Sequence, residues 1–166
     1  MITLRPLNEN DVQGMQEWMN DDSINAFFDL LPSQKTEESI RHFIQTSQTD
    51  RNHHYAIVNE QDEYLGTISL KNIHLKNKHA EYAIVLRKKA QGLGIGFMAT
   101  QALLNIAKVE LHLHKVYLTV LKENQYAIRM YEKAGFKHQG LFQDHLFQNG
   151  QYRDLLYFER ILEENV

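Results

Sequence analysis

Two short segments of this chain carry residue types at spacings that suit chemistry. The first is Gln91-Gly92-Leu93-Gly94-Ile95-Gly96, with three glycines inside five residues. Glycine lets the backbone approach a ligand closely with its N–H groups pointing outward. A helix beginning at the end of such a turn adds free donors and a favourable dipole, so the segment suits phosphate oxygens. Arg87, Lys88 and Lys89, just before it, bring positive charge. A P-loop would end in Gly-Lys-Ser/Thr, and Gly96-Phe97-Met98 does not; a dinucleotide fingerprint needs glycine where Phe97 stands. The second segment runs from Asn124 to Phe136. Asn124 suits a helix N-cap, and Ala127 and Tyr131 follow it at positions that share one helical face. A small alanine there leaves room for a ligand arm, and the tyrosine hydroxyl can point at its end.

The elements that must position these residues follow from periodicity. Ile2 to Leu7 reads as a strand, and Asn10-Asp11 as the cap of a helix with Val12, Met15, Trp18 and Met19 on one face. Residues 21–33 read as a loop with an apolar patch at Ala26-Phe27-Phe28. A second helix starts at Thr36-Glu37-Glu38 and buries Ile40, Phe43 and Ile44. Strands are expected over 54–58, 64–70 and 80–86, and then a helix from Gly94 to Glu110 with Met98, Ala102 and Ile106 at i+4 spacing. A strand over 116–121 and a helix over 125–134 follow, with Gly135 as its stop. A closing hairpin of 141–147 and 152–161 turns at Asn149-Gly150. The order β-α-α-β-β-β-α-β-α-β-β implies an α/β fold, a mixed sheet flanked by helices rather than a βαβ repeat. With 166 residues, a single domain over 1–166 is expected.

Composition removes several function classes. The chain has no cysteine, so thiolate nucleophiles, disulfides and thiolate zinc sites are excluded. His53-His54 and His112-x-His114 find no further ligands at metal spacing, so no metal site is expected. There is no Gly-x-Ser-x-Gly elbow. No run approaches the length of a membrane span, and no targeting signal opens the chain, which points to a cytoplasmic protein away from the membrane. The charge is uneven: residues 1–50 hold three basic and nine acidic side chains, and the remainder holds 15 and 12. That balance lacks the basic footprint of a nucleic-acid binder. It leaves the first part suited to a cationic ligand and the second to an anionic one.

Gln91, Gly94 and Gly96 fit the pattern Gln/Arg-x-x-Gly-x-Gly/Ala, and 124–136 fits Asn-x-x-Ala-x-x-x-Tyr-x-x-x-Gly-Phe. In both, and in element order from Leu4-Arg5-Pro6-Leu7 onward, the chain resembles the GNAT family of N-acetyltransferases. The resemblance implies a GNAT fold and acetyl-CoA as the acyl donor, with transfer to a primary amine by direct attack on the thioester. It implies that Ile84, Val85 and Leu86 pair with the pantetheine arm and offer backbone N–H groups to the oxyanion. Residues 91 to 97 (Gln91, Gly92, Leu93, Gly94, Ile95, Gly96 and Phe97) would wrap the pyrophosphate. Asn124 would bond the cofactor arm, Ala127 would make room for it, and Tyr131 would meet the sulfur. Glu81, on the strand entering the site, would serve as a base, directly or through a water.

Within the family, Tyr117-Leu118-Thr119-Val120 and Asn149-Gly150-Gln151-Tyr152-Arg153 are similar to the polyamine and ribosomal-protein acetyltransferases. Polyamine enzymes carry Tyr-Trp-Phe-Glu-Glu-Pro in the early loop; this chain has Asn25-Ala26-Phe27-Phe28-Asp29-Leu30-Leu31-Pro32, with one acid and a more apolar patch. Phe27, Phe28 and Asp29 are the candidate acceptor wall. A polyamine, a peptide N-terminus, an amino sugar and a drug amine all remain open as acceptors. So does a CoA-binding sensor without turnover. Many members of the family are homodimers.

Overall fold

The computed structural model describes residues 1–28 and 30–163. Seven strands form one sheet: β1 (Thr3–Pro6), β2 (His53–Val58), β3 (Tyr64–His74), β4 (His79–Leu86), β5 (Lys115–Leu121), β6 (Lys137–Gln148) and β7 (Gln151–Ile161). Their order across the sheet is β1-β2-β3-β4-β5-β7-β6. Every neighbouring pair is antiparallel except β4 and β5, which are parallel. A parallel pair needs a crossover, and here it is α4 (Ile95–Asn105) with the π-helical turn Ile106–Glu110. The other helices are α1 (Val12–Met19), α2 (Asp22–Asn25), α3 (Glu37–Gln45) and α5 (Gln125–Lys133).

Strand alternation divides the interior into two cores, one on each face of the sheet. On one face Ile57, Ile68, Leu70 and Tyr82 pack against Ala99 and Leu103 of α4 and Ile128 and Tyr131 of α5. On the other, Ala56 and Val58 pack against Val12, Met15 and Trp18 of α1 and Ile40 of α3. Trp18 donates its indole N–H to the Tyr64 hydroxyl at 3.0 Å, which satisfies both polar groups inside this second core.

The expected mixed sheet and element order are present, with local differences. Asn8, not Asn10-Asp11, caps the first helical turn, and Asp11 turns back to accept from the Asn8 N–H and to pair with Arg5 at 2.8 Å. The apparent loop 21–33 contains α2, started by the Asp21 carboxylate. The helix expected to reach Glu110 leaves α geometry after Asn105. Its buried face is Ile95, Ala99 and Leu103 with Gly96, Thr100 and Leu104, whereas Met98 is exposed. The hairpin turn at Asn149-Gly150 stands as expected, both residues having positive φ.

Candidate active site

The site begins where the sheet opens. β4 and β5 pair only through His79–Lys115, Ala80–Val116 and Glu81–Tyr117, while β4 stays paired to β3 as far as Leu86. The Arg87 N–H donates to Leu65 O at 2.9 Å, extending the β3–β4 ladder. Alternation then turns the backbone groups of Val85 and Ala83 toward β3 and those of Tyr82, Ile84 and Leu86 toward the gap. Of the three expected pantetheine partners, Ile84 and Leu86 have backbone to offer, and Val85 does not. Gln91 already reaches into the gap, its side-chain amide donating to Leu86 O at 3.3 Å.

A cavity of about 860 Å³ fills this opening. On the α4–α5 face it is lined by Ile84, Leu86, Gln91, Gly92, Gly94, Ile95, Gly96 and Phe97, with Asn124, Ala127, Met130 and Tyr131 opposite. Gly92 and Gly94 have φ of +76° and +77°, and a Cβ at either would meet nothing within 4 Å. Backbone conformation is therefore what those two positions require. Gly94 is the N-cap of α4 and has no side chain to cap the first turn, so the following N–H groups are left for a ligand. The Gly92 N–H is not free: it donates to the Tyr126 hydroxyl at 3.0 Å. Leu93 is the loop residue outside the cavity lining, its side chain 66% exposed.

Helix α5 carries the second segment. Asn124 Oδ1 accepts from the Ala127 N–H at 3.3 Å, so it is the cap that its position suggests. Tyr131 lies one helical turn beyond Ala127, held between the rings of Tyr82 (5.5 Å, near-perpendicular) and Phe136 (6.0 Å). Tyr82 is anchored in turn by a 2.7 Å hydrogen bond to Thr100. Burial raises the Tyr131 pKa well above the ordinary tyrosine value, so the ring is a neutral donor throughout the working range of pH.

The positive charge sits elsewhere than expected. Arg87 pairs with Glu17 at 2.6 Å and Lys89 with Glu63 at 2.9 Å. The bases lining the cavity at this end are Arg129 and Lys133 of α5, with the Lys133 ammonium 4.4 Å from the centre of the Phe97 ring. They are one helical turn apart from each other but at i+2 spacing from Ala127 and Tyr131, so the Ala127–Tyr131 face does not mark them in the sequence. Tyr126 and Met130 were equally unmarked in the sequence.

On the α1–α3 face the cavity is lined by Ser23, Ile24, Phe27 and Phe28 around α2, by Lys71, Glu81, Ala83 and Val85 of the sheet, and by Leu146 and Leu155 of the hairpin. Phe27 and Phe28 are 42% and 39% exposed, and the Phe28 ring leans on Trp18 at 5.5 Å. Asp29, the acid expected beside them, lies outside the described residues. Glu81 is half-buried and pairs with Lys71 at 3.3 Å. His138 and His145 are exposed and do not line the cavity. Among the described residues there is no cluster that could hold a metal, and no helix is long and apolar enough to cross a membrane.

Known proteins share this fold. The acetyltransferase (GNAT) domain family matches residues 1–137. The spermidine N(1)-acetyltransferase of Escherichia coli (strain K12) is 29% identical over 161 residues, covering 93% of this chain and 83% of that protein. The putative ribosomal N-acetyltransferase YdaF of Bacillus subtilis is 27% identical over 172 residues, covering 98% and 92%. The crystal structure of spermidine N-acetyltransferase from Vibrio cholerae, in complex with CoA and spermine, superposes with a TM-score of 0.88 at 24% identity, covering 96% and 95% of the two chains. With its glycine turn, its opened strand pair and more than four-fifths of its length matched, the chain belongs to the GNAT family, as an N-acetyltransferase that draws on acetyl-CoA.

Proposed function

We propose that this enzyme acetylates a small primary amine that reaches the gap between β4 and β5 from the α1–α3 face, while the acyl donor lies on the α4–α5 face. The observation that carries the reading is the early end of β4–β5 pairing at Glu81–Tyr117, which joins the two faces through one cavity. The residues present suit acetyl-CoA. Ile84 and Leu86 offer peptide groups to a pantetheine arm, the Gly94 turn offers N–H groups to a pyrophosphate, and Arg129 and Lys133 offer charge to phosphate.

When bound, acetyl-CoA supplies the thioester carbonyl that the amine attacks. A C–N bond forms, the C–S bond breaks, and the sulfur leaves as thiolate. The gap-facing N–H groups of β4 stabilise the oxyanion as it develops. Tyr131 donates a hydrogen bond to the leaving sulfur. In water a thiol titrates near 8.5 and a tyrosine near 10, so complete proton transfer is uphill by about 2 kcal/mol. Burial raises the tyrosine further, and the same desolvation raises the proton affinity of a thiolate beside it. Tyr131 therefore shares its proton rather than surrendering it before the bond breaks. Glu81 faces the other side and takes the proton that the ammonium loses before attack, directly or through a water, and the second nitrogen proton, shed as the amide forms, would pass to the thiolate.

The relatives' names favour a polyamine such as spermidine as the first acceptor to try. The test is free-thiol release from acetyl-CoA with spermidine, peptides, amino sugars, aminoglycosides and amino acids. Release with one amine class supports the reading; tight CoA binding with no release on any amine would make the chain a sensor instead. We propose further that a second copy covers the β6–β7 hairpin. There Phe147 and Tyr152 are 63% and 66% exposed, with rings 5.1 Å apart. Light scattering should then give a dimer or larger, and a monomer at micromolar concentration would overturn it.

A further inference from the structure

We infer that Lys71 determines acceptor specificity, so that the enzyme selects an amine that carries its own anionic group over a polycation. This rests on the acceptor approaching from the α1–α3 face as proposed above. Lys71 stands directly opposite Glu81 in the β3–β4 register, so the two side chains project from the same face. That face is also Val85's, which packs against the α1–α3 core. Both side chains line the cavity, and the Lys71 ammonium is 3.3 Å from a Glu81 oxygen.

The sign of the cavity follows from its lining. Among the described lining residues Glu81 is the sole acid, against Lys71, Arg129 and Lys133. The last two stand at the phosphate end, five and nine residues beyond Asn124 on α5. Among the described residues, the acceptor end therefore holds one carboxylate and one ammonium, already paired. A polycation entering there must displace Lys71 from Glu81 and gains no net attraction. An amine bearing a carboxylate or phosphate meets complementary groups at both of its ends: its nitrogen faces Glu81 and its anion faces Lys71.

An α-amino acid and an amino-sugar nucleotide both present this chemistry, the first through a carboxylate and the second through a diphosphate. Paired probes separate them: L-methionine against L-methioninol, and UDP-glucosamine against glucosamine, with spermidine as the polycation. Binding to the enzyme with CoA present would be measured by calorimetry, beside free-thiol release from acetyl-CoA. In the wild-type enzyme one amine with an anionic group should bind at least tenfold more tightly than its counterpart lacking that group and than spermidine. Lys71→Met should remove that preference and strengthen spermidine, while Lys71→Arg retains it. Lys71 is 38% exposed, so both variants should fold, which a thermal melt checks. Spermidine binding tightest to the wild type, a preference unmoved in Lys71→Met, or no binding by any of the five amines would each overturn the inference. A Lys71-dependent preference without thiol release leaves the inference standing and sinks the transfer reading. Release that favours spermidine does the reverse.

Discussion

On the α4–α5 face of the sheet, the groups aimed at a ligand come from three short stretches of chain, residues 84–86, 91–97 and 124–133, and many of them are peptide groups. On the α1–α3 face they are side chains from α2, β3, β4 and the β6–β7 hairpin, more than 130 residues apart at the extremes, Ser23 and Leu155. The first face holds its geometry through backbone conformation and one capped helix. The second is assembled by tertiary packing around a four-residue helix. A ligand common to a whole family can be read by backbone, whose requirements leave fixed spacings of Gly, Asn and Ala. An acceptor that varies must be read by side chains, which leave no spacing at all.

Substitutions on the two faces should separate in what they change. The largest effect is expected from Tyr131→Phe, which keeps the packing on Tyr82 and Phe136 but removes the donor; kcat should fall about a hundredfold with CoA affinity intact. A loss under threefold would take Tyr131 out of the chemistry. Next comes Gly94→Ala. Its φ of +77° costs a side-chain-bearing residue about 1–2 kcal/mol, and the added Cβ meets nothing, so KM for acetyl-CoA should rise roughly tenfold while KM for the amine holds. If both constants move together, the two faces are not separable. Phe27→Ala should do the opposite at smaller scale, raising KM for the amine about threefold and leaving acetyl-CoA alone, because the ring is exposed at 42% and carries little of the core. The smallest expected effect is none. Tyr131 donates only while protonated, and burial lifts its pKa, so kcat should not fall between pH 8 and 10. A declining limb in that window, absent from Tyr131→Phe, would show a tyrosine that titrates normally and breaks the account of the buried face.

The same division explains what could be read in the sequence. Asn124, Ala127, Tyr131 and the Gly94 turn were legible because helix geometry and positive φ tie residue type to position. The strands were legible from alternation, although β6 begins at Lys137, earlier than its apolar residues suggest, because an exposed edge strand needs no buried face. The stripe of α4 was misplaced. Met98, Ala102 and Ile106 have helical spacing, but α4 is covered on two sides, by the sheet and by α5, so several stripes are apolar and periodicity does not choose between them. Sequence proximity assigns Arg87 and Lys89 to the glycine turn, but their partners Glu17 and Glu63 are distant in sequence. The Lys71–Glu81 pair was hidden for the same reason, since cross-strand register is not written in either strand.

The hydrogen bond from Gly92 to Tyr126 bears on turnover. An enzyme that uses acetyl-CoA must let CoA go once per cycle, and a turn that binds phosphate too well becomes the slow step. Any anion that takes the Gly92 N–H must first displace the Tyr126 hydroxyl, and on leaving hands the amide back to it. The exchange trims affinity by about one neutral hydrogen bond, of the order of 1 kcal/mol. On the proposed reading of the turn, Tyr126 is a stand-in ligand that holds its shape between visits and shortens the residence time of the spent carrier.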